Sequence, residues 1–160
     1  MIHANLIDAV AEEVQDALKN LRLPTEYMQE PAPDNFVQVN VFKQYLPADL
    51  FEQTSYYPFV MVEWLSSTDN LNKGSTAQIG LTVGTFAKEQ DGYLDALYIL
   101  DELRIRLLNK RILARKFQLV ADDAATWEVP SNQPTPFFVL YGALTYQMHL
   151  PQDERIPQML

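Results

Sequence analysis

The sequence predicts an α+β fold, with a mainly antiparallel sheet of four to five strands and two main helices packed on it. Two segments repeat apolar residues at the spacing of amphipathic helices. The segments between and after them alternate apolar and polar residues, as half-buried strands do. The resulting order is α-β-β-β-α-β-β, and antiparallel strands in runs with a pair of helices are typical of α+β layers.

The chain length of 160 residues fits one domain. We expect residues 1–150 to form this single α+β domain and residues 151–160 to form an exposed C-terminal tail. Hydrophobic residues make up 48% of the chain and charged residues 21%, which indicates a globular rather than a disordered protein. No secretory signal and no apolar run long enough to cross a bilayer are recognised, so we expect a soluble protein made in the cytoplasm.

The N-terminal part contains one helix and one strand. The helix is predicted from about Ala4 to Leu21, and Pro24 stops its continuation because proline lacks the backbone N–H that a helix needs. After a proline-containing connector, residues 36–42 read FVQVNVF, which predicts a half-buried strand. Residues 44–57 then form a predicted loop, and loops of this length are often functional or part of an interface.

Two strands and the turn between them are predicted to form a long hairpin. The first strand begins at Pro58 and reads PFVMVEWLSS, and the second covers Ala77–Val83. The polar segment Ser66–Ser75 between them is predicted as a turn or a projecting hairpin loop. Gly80 and Gly84 within the second strand indicate a close approach of another group or a β-bulge.

The longest helix signal runs from Asp91 to Arg111 and reads DGYLDALYILDELRIRLLNKR. Asp91 is a suitable N-cap. The basic residues at the C-terminal end interact favourably with the helix dipole. Apolar residues cover more than half of the circumference, so the helix is either deeply buried in one chain or has a second partner beyond its own sheet. Asp101 and Arg104 can pair within this apolar arc, either in solvent or as a buried or interfacial ion pair.

The C-terminal part is predicted to add two strands. Phe117–Val120 is a short strand, Asp122–Gln133 is a loop that carries Trp127, and the last strand reads FFVLYGALTYQMHL. Both faces of this last strand are apolar. One face consists of Phe137, Val139, Tyr141 and Ala143. This face is too apolar for free exposure, so a helix or another subunit should cover it.

Residues that usually carry chemistry form no recognisable constellation. The absence of cysteine removes disulfides, thiolate nucleophiles and zinc–thiolate sites. His3 and His149 have no neighbours with catalytic or metal-ligand spacing. An EF-hand at Asp69–Gly74 fails because Leu71 and Lys73 occupy positions that need oxygen ligands. We therefore expect no enzyme activity, no cofactor and no metal.

The formal net charge of −9 argues against nucleic-acid binding, because an acidic surface repels phosphates. The only basic cluster lies at residues 104–116. Apolar residues interrupt it, as they do at the end of an amphipathic helix, so a nucleic-acid site is the weaker interpretation.

Four segments in the C-terminal half carry a family resemblance. They read DGYLDALYILDELRIRLL (91–108), KFQLV (116–120), the loop with Trp127, and QPTPFFVLYGALTYQM (133–148). In this order they resemble the tail terminator and tail completion proteins of long-tailed bacteriophages. The N-terminal helix, strand and long hairpin that come before them fit the same order.

This resemblance implies a structural subunit of the virion, in the tail-neck region, assembled in the host cytoplasm. Such subunits form a ring, typically a hexamer, that caps the tail tube, stops its polymerisation and joins the tail to the head connector. The implied partners are other copies of the chain, the tail tube protein, and head connector or neck proteins, without a membrane. DNA would pass through the lumen without specific binding. Family members are not enzymes and carry no cofactor.

The resemblance also indicates which residues to test. A ring needs two different, complementary patches on each subunit. The candidates for the subunit interface are Asp101, Arg104, Leu108 and Tyr141. The candidates for contact with the tube or another partner are Asp69, Asn70, Asn72 and Lys73, although an ordinary hairpin turn is an equal alternative for this segment.

Two other functions stay open from the sequence. One is a phage tail or neck assembly factor that is not retained in the virion, which predicts a soluble monomer or dimer. The other is a small enzyme with an unrecognised site, which predicts a deep polar cleft with perturbed carboxylates.

Overall fold

The computed structural model describes residues 1–21, 39–47, 56–86, 92–133 and 136–149. This part of the chain contains two helices and seven strands in the order α-β-β-β-α-β-β-β-β. They are α1 (Ile2–Leu18), β1 (Asn40–Lys43), β2 (Phe59–Asn70), β3 (Gly74–Phe86), α2 (Gly92–Asn109), β4 (Ile112–Leu113), β5 (Phe117–Leu119), β6 (Ala125–Glu128) and β7 (Phe137–Met148).

The strands form one sheet with the order β1-β2-β3-β7-β5-β4, and β6 pairs with β7 as well. The centre is β3, which is antiparallel to β2 on one side and to β7 on the other. The predicted α+β class is confirmed. The sheet is larger than the predicted four to five strands, and it is mixed because β1 runs parallel to β2.

The two strands that were not predicted are both short. The basic residues after Asn109 favoured a helix that continues to Arg111. Instead, α2 ends at Asn109 and β4 follows almost directly. β6 lies inside the predicted loop Asp122–Gln133 and pairs with β7 over four residues. Strands of two and four residues contain too few positions for their periodicity to be recognised.

Several predicted segments differ from the structure at their ends or lie partly outside the described residues. α1 ends at Leu18, three residues before the predicted end. Of the predicted strand 36–42, the described part belongs to β1 from Asn40 onward. Residues 48–55 of the predicted loop, the predicted N-cap Asp91, and residues 151–160 lie outside the described residues.

Both helices pack on the same face of the sheet and form the helix-side core. In a helix, every third or fourth side chain lies on one face, and in a strand every second side chain does. The apolar faces of the helices therefore pack against the apolar face of the sheet. Burial of each large aliphatic side chain contributes about 1.5–3 kcal/mol, so this core is the main source of stability. Its members include Leu6, Val10 and Val14 of α1, Ile99, Leu103 and Leu107 of α2, and Val62, Ile79, Leu81, Leu140, Leu144 and Tyr146 of the sheet.

We call the opposite side of the sheet the open face. Phe59 and Met61 begin a separate aromatic cluster at one end of it, together with Tyr57. The rings of Tyr57 and Phe137 stack with centroids 4.5 Å apart, and the ring of Phe86 lies 5.4 Å from that of Phe137. The open face is therefore apolar and well packed at this end.

Glycines allow two aromatic rings to lie directly on the strands. A Cβ atom at Gly84 would lie 2.1 Å from Cε1 of Phe59, and one at Gly142 would lie 2.3 Å from the indole ring of Trp127. At Gly80, the neighbour of an added Cβ is Leu65, which lies at the β-bulge between Trp64 and Ser66 of β2. The close approach predicted from Gly80 and Gly84 is thus confirmed, whereas the bulge lies in the neighbouring strand β2 and not in β3.

A cluster of charges joins α1 to α2. Arg106 hydrogen-bonds to Asp16, and its Nη1 atom is 3.4 Å from Oε2 of Glu13. Lys110 pairs with Glu13 as well. The hydrogen bond from Arg106, supported by Lys19, lowers the pKa of Asp16 to about 2. These pairs fix the relative position of the two helices at the surface of the core.

The first prediction concerns the contact between Gly84 and Phe59. Gly84→Ala should lower the free energy of unfolding by about 1–3 kcal/mol, the usual cost of overpacking. The matched control is Gly80→Ala, where the added Cβ meets Leu65 at 3.0 Å and Leu65 is 44% exposed and can move. We expect this control to stay within about 0.5 kcal/mol of the wild type in urea denaturation. Equal costs for the two variants would contradict the packing described.

The second prediction concerns the pH dependence of stability. The pKa of Asp16 is lowered from 3.8 to about 2 in the folded chain, so its pairing stabilises the fold above about pH 4 and is lost as the pH falls through about 2. The difference in unfolding free energy between the wild type and Asp16→Asn should therefore shrink over this range.

Urea denaturation at a series of pH values measures this difference. Arg106→Gln should show the same shrinkage, because its hydrogen bond is the main cause of the lowered pKa. A difference between the wild type and Asp16→Asn that stays constant down to about pH 2 would show that the pairing is absent in solution.

Candidate functional site

The side of α2 that faces away from the sheet carries a row of large exposed side chains, which we call the outer helix face. It arises because the buried positions of α2 occupy only one side of the helix. Of the two alternatives predicted for the broad apolar arc, deep burial within one chain is therefore wrong, because the outer side of the helix is exposed in the single chain. A second partner for the helix stays a prediction. The outer helix face consists of Tyr93, Leu94, Leu97, Tyr98 and Ile105, which are 37–60% exposed.

Asp101 and Arg104 lie among these residues on α2. Their side chains are 66% and 49% exposed, and Oδ1 of Asp101 is 3.8 Å from Nη1 of Arg104. This distance is beyond that of a hydrogen bond. The pair is therefore not buried within one chain, and its role at a subunit interface stays a prediction.

The other two predicted interface residues lie in different environments. Leu108 is half-buried and packs against the helix-side core. Tyr141 is 42% exposed on β7, where it faces the side of the sheet opposite the helices. The structure therefore brings Asp101, Arg104 and Leu108 together on one helix, and it places Tyr141 on a separate surface.

The exposed part of the open face forms a cleft of about 280 Å³, which we call the acidic cleft. Gly80 and Ala143 line it, while Leu65 and Tyr141 are its large exposed side chains. Cross-strand pairing places Glu63 opposite Gly80, and burial raises the pKa of Glu63. The acidic side chains that line the cleft are Glu63 of β2 and Glu128 of β6.

A second cleft of about 540 Å³ adjoins the acidic cleft toward the aromatic cluster. The two clefts share Glu63, Thr82 and Tyr141. The hydroxyl of Tyr57 within the cluster is buried without a hydrogen-bond partner among the described residues, and burial raises the pKa of Tyr57 to about 12. This hydroxyl therefore stays protonated at neutral pH.

The nearest approach to a nucleophile–base pair in the described part is between Ser67 and His3. Nε2 of His3 lies 2.8 Å from Oγ of Ser67, and Nε1 of Trp64 donates a 2.8 Å hydrogen bond to the same oxygen. Serine nucleophiles also need a group that orients the histidine. No described acid hydrogen-bonds to His3, so the contact fastens the first turn of α1 to β2. Sequence reasoning missed it, because the two residues are far apart in the chain.

The turn between β2 and β3 is shorter than the predicted loop Ser66–Ser75. β2 continues to Asn70 and β3 begins at Gly74, so the hairpin turn is Leu71–Lys73. The predicted extent was wrong because polar residues were interpreted as a loop, whereas they belong to exposed strand positions near the sheet edge.

The predicted contact residues at this turn have two different roles. Oδ1 of Asn70 accepts hydrogen bonds of 2.9 Å from the backbone N–H groups of Asn72 and Lys73. Oδ1 of Asp69 accepts a 2.6 Å hydrogen bond from Ser75. Asp69 and Asn70 thus shape the turn, while Asn72 and Lys73 are exposed on it. Leu71 was not among the predicted contact residues, yet it is 89% exposed at the tip of the turn.

The described residues provide neither a metal site nor a membrane-spanning helix. The described side chains contain no group of three or more His, Asp or Glu residues that could hold a metal ion. Neither described helix is long and apolar enough to cross a membrane.

Comparison with known proteins leaves the family open. No protein-family model matches the chain, and no curated protein matches it at a significant level. The resemblance to phage tail terminators therefore stays a prediction from the sequence.

Proposed function

We propose that this chain is a bacteriophage structural protein, a tail terminator whose copies form a ring in the neck of the virion. The ring would cap the tail tube, stop its polymerisation and join the tail to the head connector. The phage role rests on the sequence resemblance. The ring rests on one structural observation: two different exposed surfaces, the outer helix face and the acidic cleft, lie on opposite sides of one sheet.

Two different surfaces on opposite sides favour a ring over a two-fold dimer. A two-fold contact uses the same patch on both copies, whereas a head-to-tail contact joins two distinct patches and closes into a ring when the rotation permits. The outer helix face carries five large exposed hydrophobic side chains within one helix. Contiguous apolar patches of this kind usually mark protein contacts.

The hairpin turn supports the proposed contact with the tail tube. Its conformation is held by internal hydrogen bonds that Asn70 and Asp69 accept, so the turn is preorganised. Leu71 is exposed at its tip and Lys73 adds a positive charge. A rigid turn with one apolar anchor is suited to insert into a site on another protein.

The proposed role requires neither enzyme activity nor a cofactor. DNA would pass through the lumen of the ring without specific binding. The formal net charge of −9 supports this part of the proposal, because an acidic wall repels phosphates.

The third prediction tests the ring. Leu97→Glu places a charge in the middle of the outer helix face, where the native side chain is 42% exposed. We expect the variant to fold normally, since this position lies outside the core, but to associate at least tenfold more weakly. Sedimentation over a range of concentrations would measure the association.

The matched control for this prediction is Leu71→Glu, which adds the same charge to a more exposed leucine outside both surfaces. The control should associate like the wild type. Normal association of Leu97→Glu, with the circular dichroism spectrum unchanged, would contradict a role of α2 in assembly.

The fourth prediction tests the contact with the tail tube. Leu71→Ser removes the apolar tip of the turn while its hydrogen bonds remain. We expect unchanged subunit association and reduced capping of tail tubes in electron micrographs, with tubes of uncontrolled length. Asn20→Ser, in the exposed turn that follows α1, is the control and should cap normally. Full capping by Leu71→Ser would show that another part of the chain contacts the tube.

A further inference from the structure

We infer that the outer helix face of one copy docks onto the acidic cleft of the next copy, with Arg104 placed against Glu63 and Glu128. This inference rests on the proposed ring and names the two surfaces that would meet in it. The partner is therefore a second copy of this chain.

The first argument is the charge of the two surfaces. The acidic cleft is lined by Glu63 and Glu128, and no lysine or arginine is among its lining residues. Arg104 lies beside the exposed leucines of α2, and its ion pair with Asp101, at 3.8 Å, is too long for a hydrogen bond. The guanidinium of Arg104 can therefore still donate to the two carboxylates of the cleft, which is a complementary contact.

The second argument is the shape and polarity of the cleft. Its lining residues Gly80 and Ala143 have little or no side chain, while Leu65 and Tyr141 are 44% and 42% exposed. A strand spacing of about 4.8 Å puts the backbones of β2 and β6 about 14 Å apart across the sheet. This width accommodates an α-helix, whose diameter with side chains is about 10–12 Å.

The third argument is the position of the two surfaces in the fold. α2 packs on the helix side of the sheet, and the acidic cleft lies on the open face. One copy cannot bring its own helix onto its own cleft, since the sheet separates them. The contact is therefore between copies and uses a different surface of each, as a closed ring requires.

The fifth prediction is a charge exchange across this contact. Arg104→Glu and Glu128→Lys, each alone, should weaken association at least tenfold, because each places like charges opposite one another. The double variant should recover part of the association, because the charges exchanged at positions 104 and 128 attract each other while Glu63 still repels the new carboxylate. Sedimentation of the purified full chain over a range of concentrations gives the readout.

A mixture of the two single variants makes the test specific for a head-to-tail contact. The Arg104→Glu chain keeps an intact cleft, and the Glu128→Lys chain keeps an intact helix face. Equal amounts of the two should therefore assemble together, although neither assembles alone. Arg111→Glu and Asp122→Lys change exposed charges outside both surfaces and should associate like the wild type.

The outcomes separate this inference from the proposed function. A wild-type ring that both single variants leave unchanged would overturn the contact but not the ring. Weakened single variants that neither the double variant nor the mixture restores would also overturn the contact. A wild-type chain that stays monomeric at all concentrations would overturn both.

Discussion

β3 is paired along almost its entire length, with β2 on one side and β7 on the other. These three strands of 12 or 13 residues form the frame to which the other described elements attach. The apolar side chains on one face of the frame are buried by both helices, and the charges between α1 and α2 hold the helices together. Because both helices lie on this one side, the opposite face must be stabilised in another way.

The open face is divided into two parts. At one end, Gly84 lets the ring of Phe59 lie flat on the strand, so aromatic side chains cover the sheet without a helix. At the other end, the sheet is left as a shallow cleft with two carboxylates and two exposed apolar side chains. The helices form a single layer on the sheet, and no described element packs on the outer side of α2. That side is therefore exposed as well. Both surfaces thus follow from covering the sheet on one face.

The sequence predicts the long elements well because their periodicity extends over many residues. α2 and the three long strands of the frame are recognisable in this way. The parallel direction of β1 is not, since alternation is the same for either direction. β4 and β6 depend on backbone pairing with strands that are distant in sequence. Among the site residues, Arg104 and Tyr141 were candidates because each lies on an apolar surface broader than one sheet needs. Leu71 was not predicted, because a single leucine among polar residues gives no pattern.

The central claim is that this fold is a subunit built to assemble with copies of itself. Native mass spectrometry of the purified wild-type chain tests it most directly. We expect a single closed species at several times the subunit mass of 18.4 kDa, six times for a hexamer, which persists on dilution. A mass of 18.4 kDa at every concentration up to those reached inside a cell would contradict the claim.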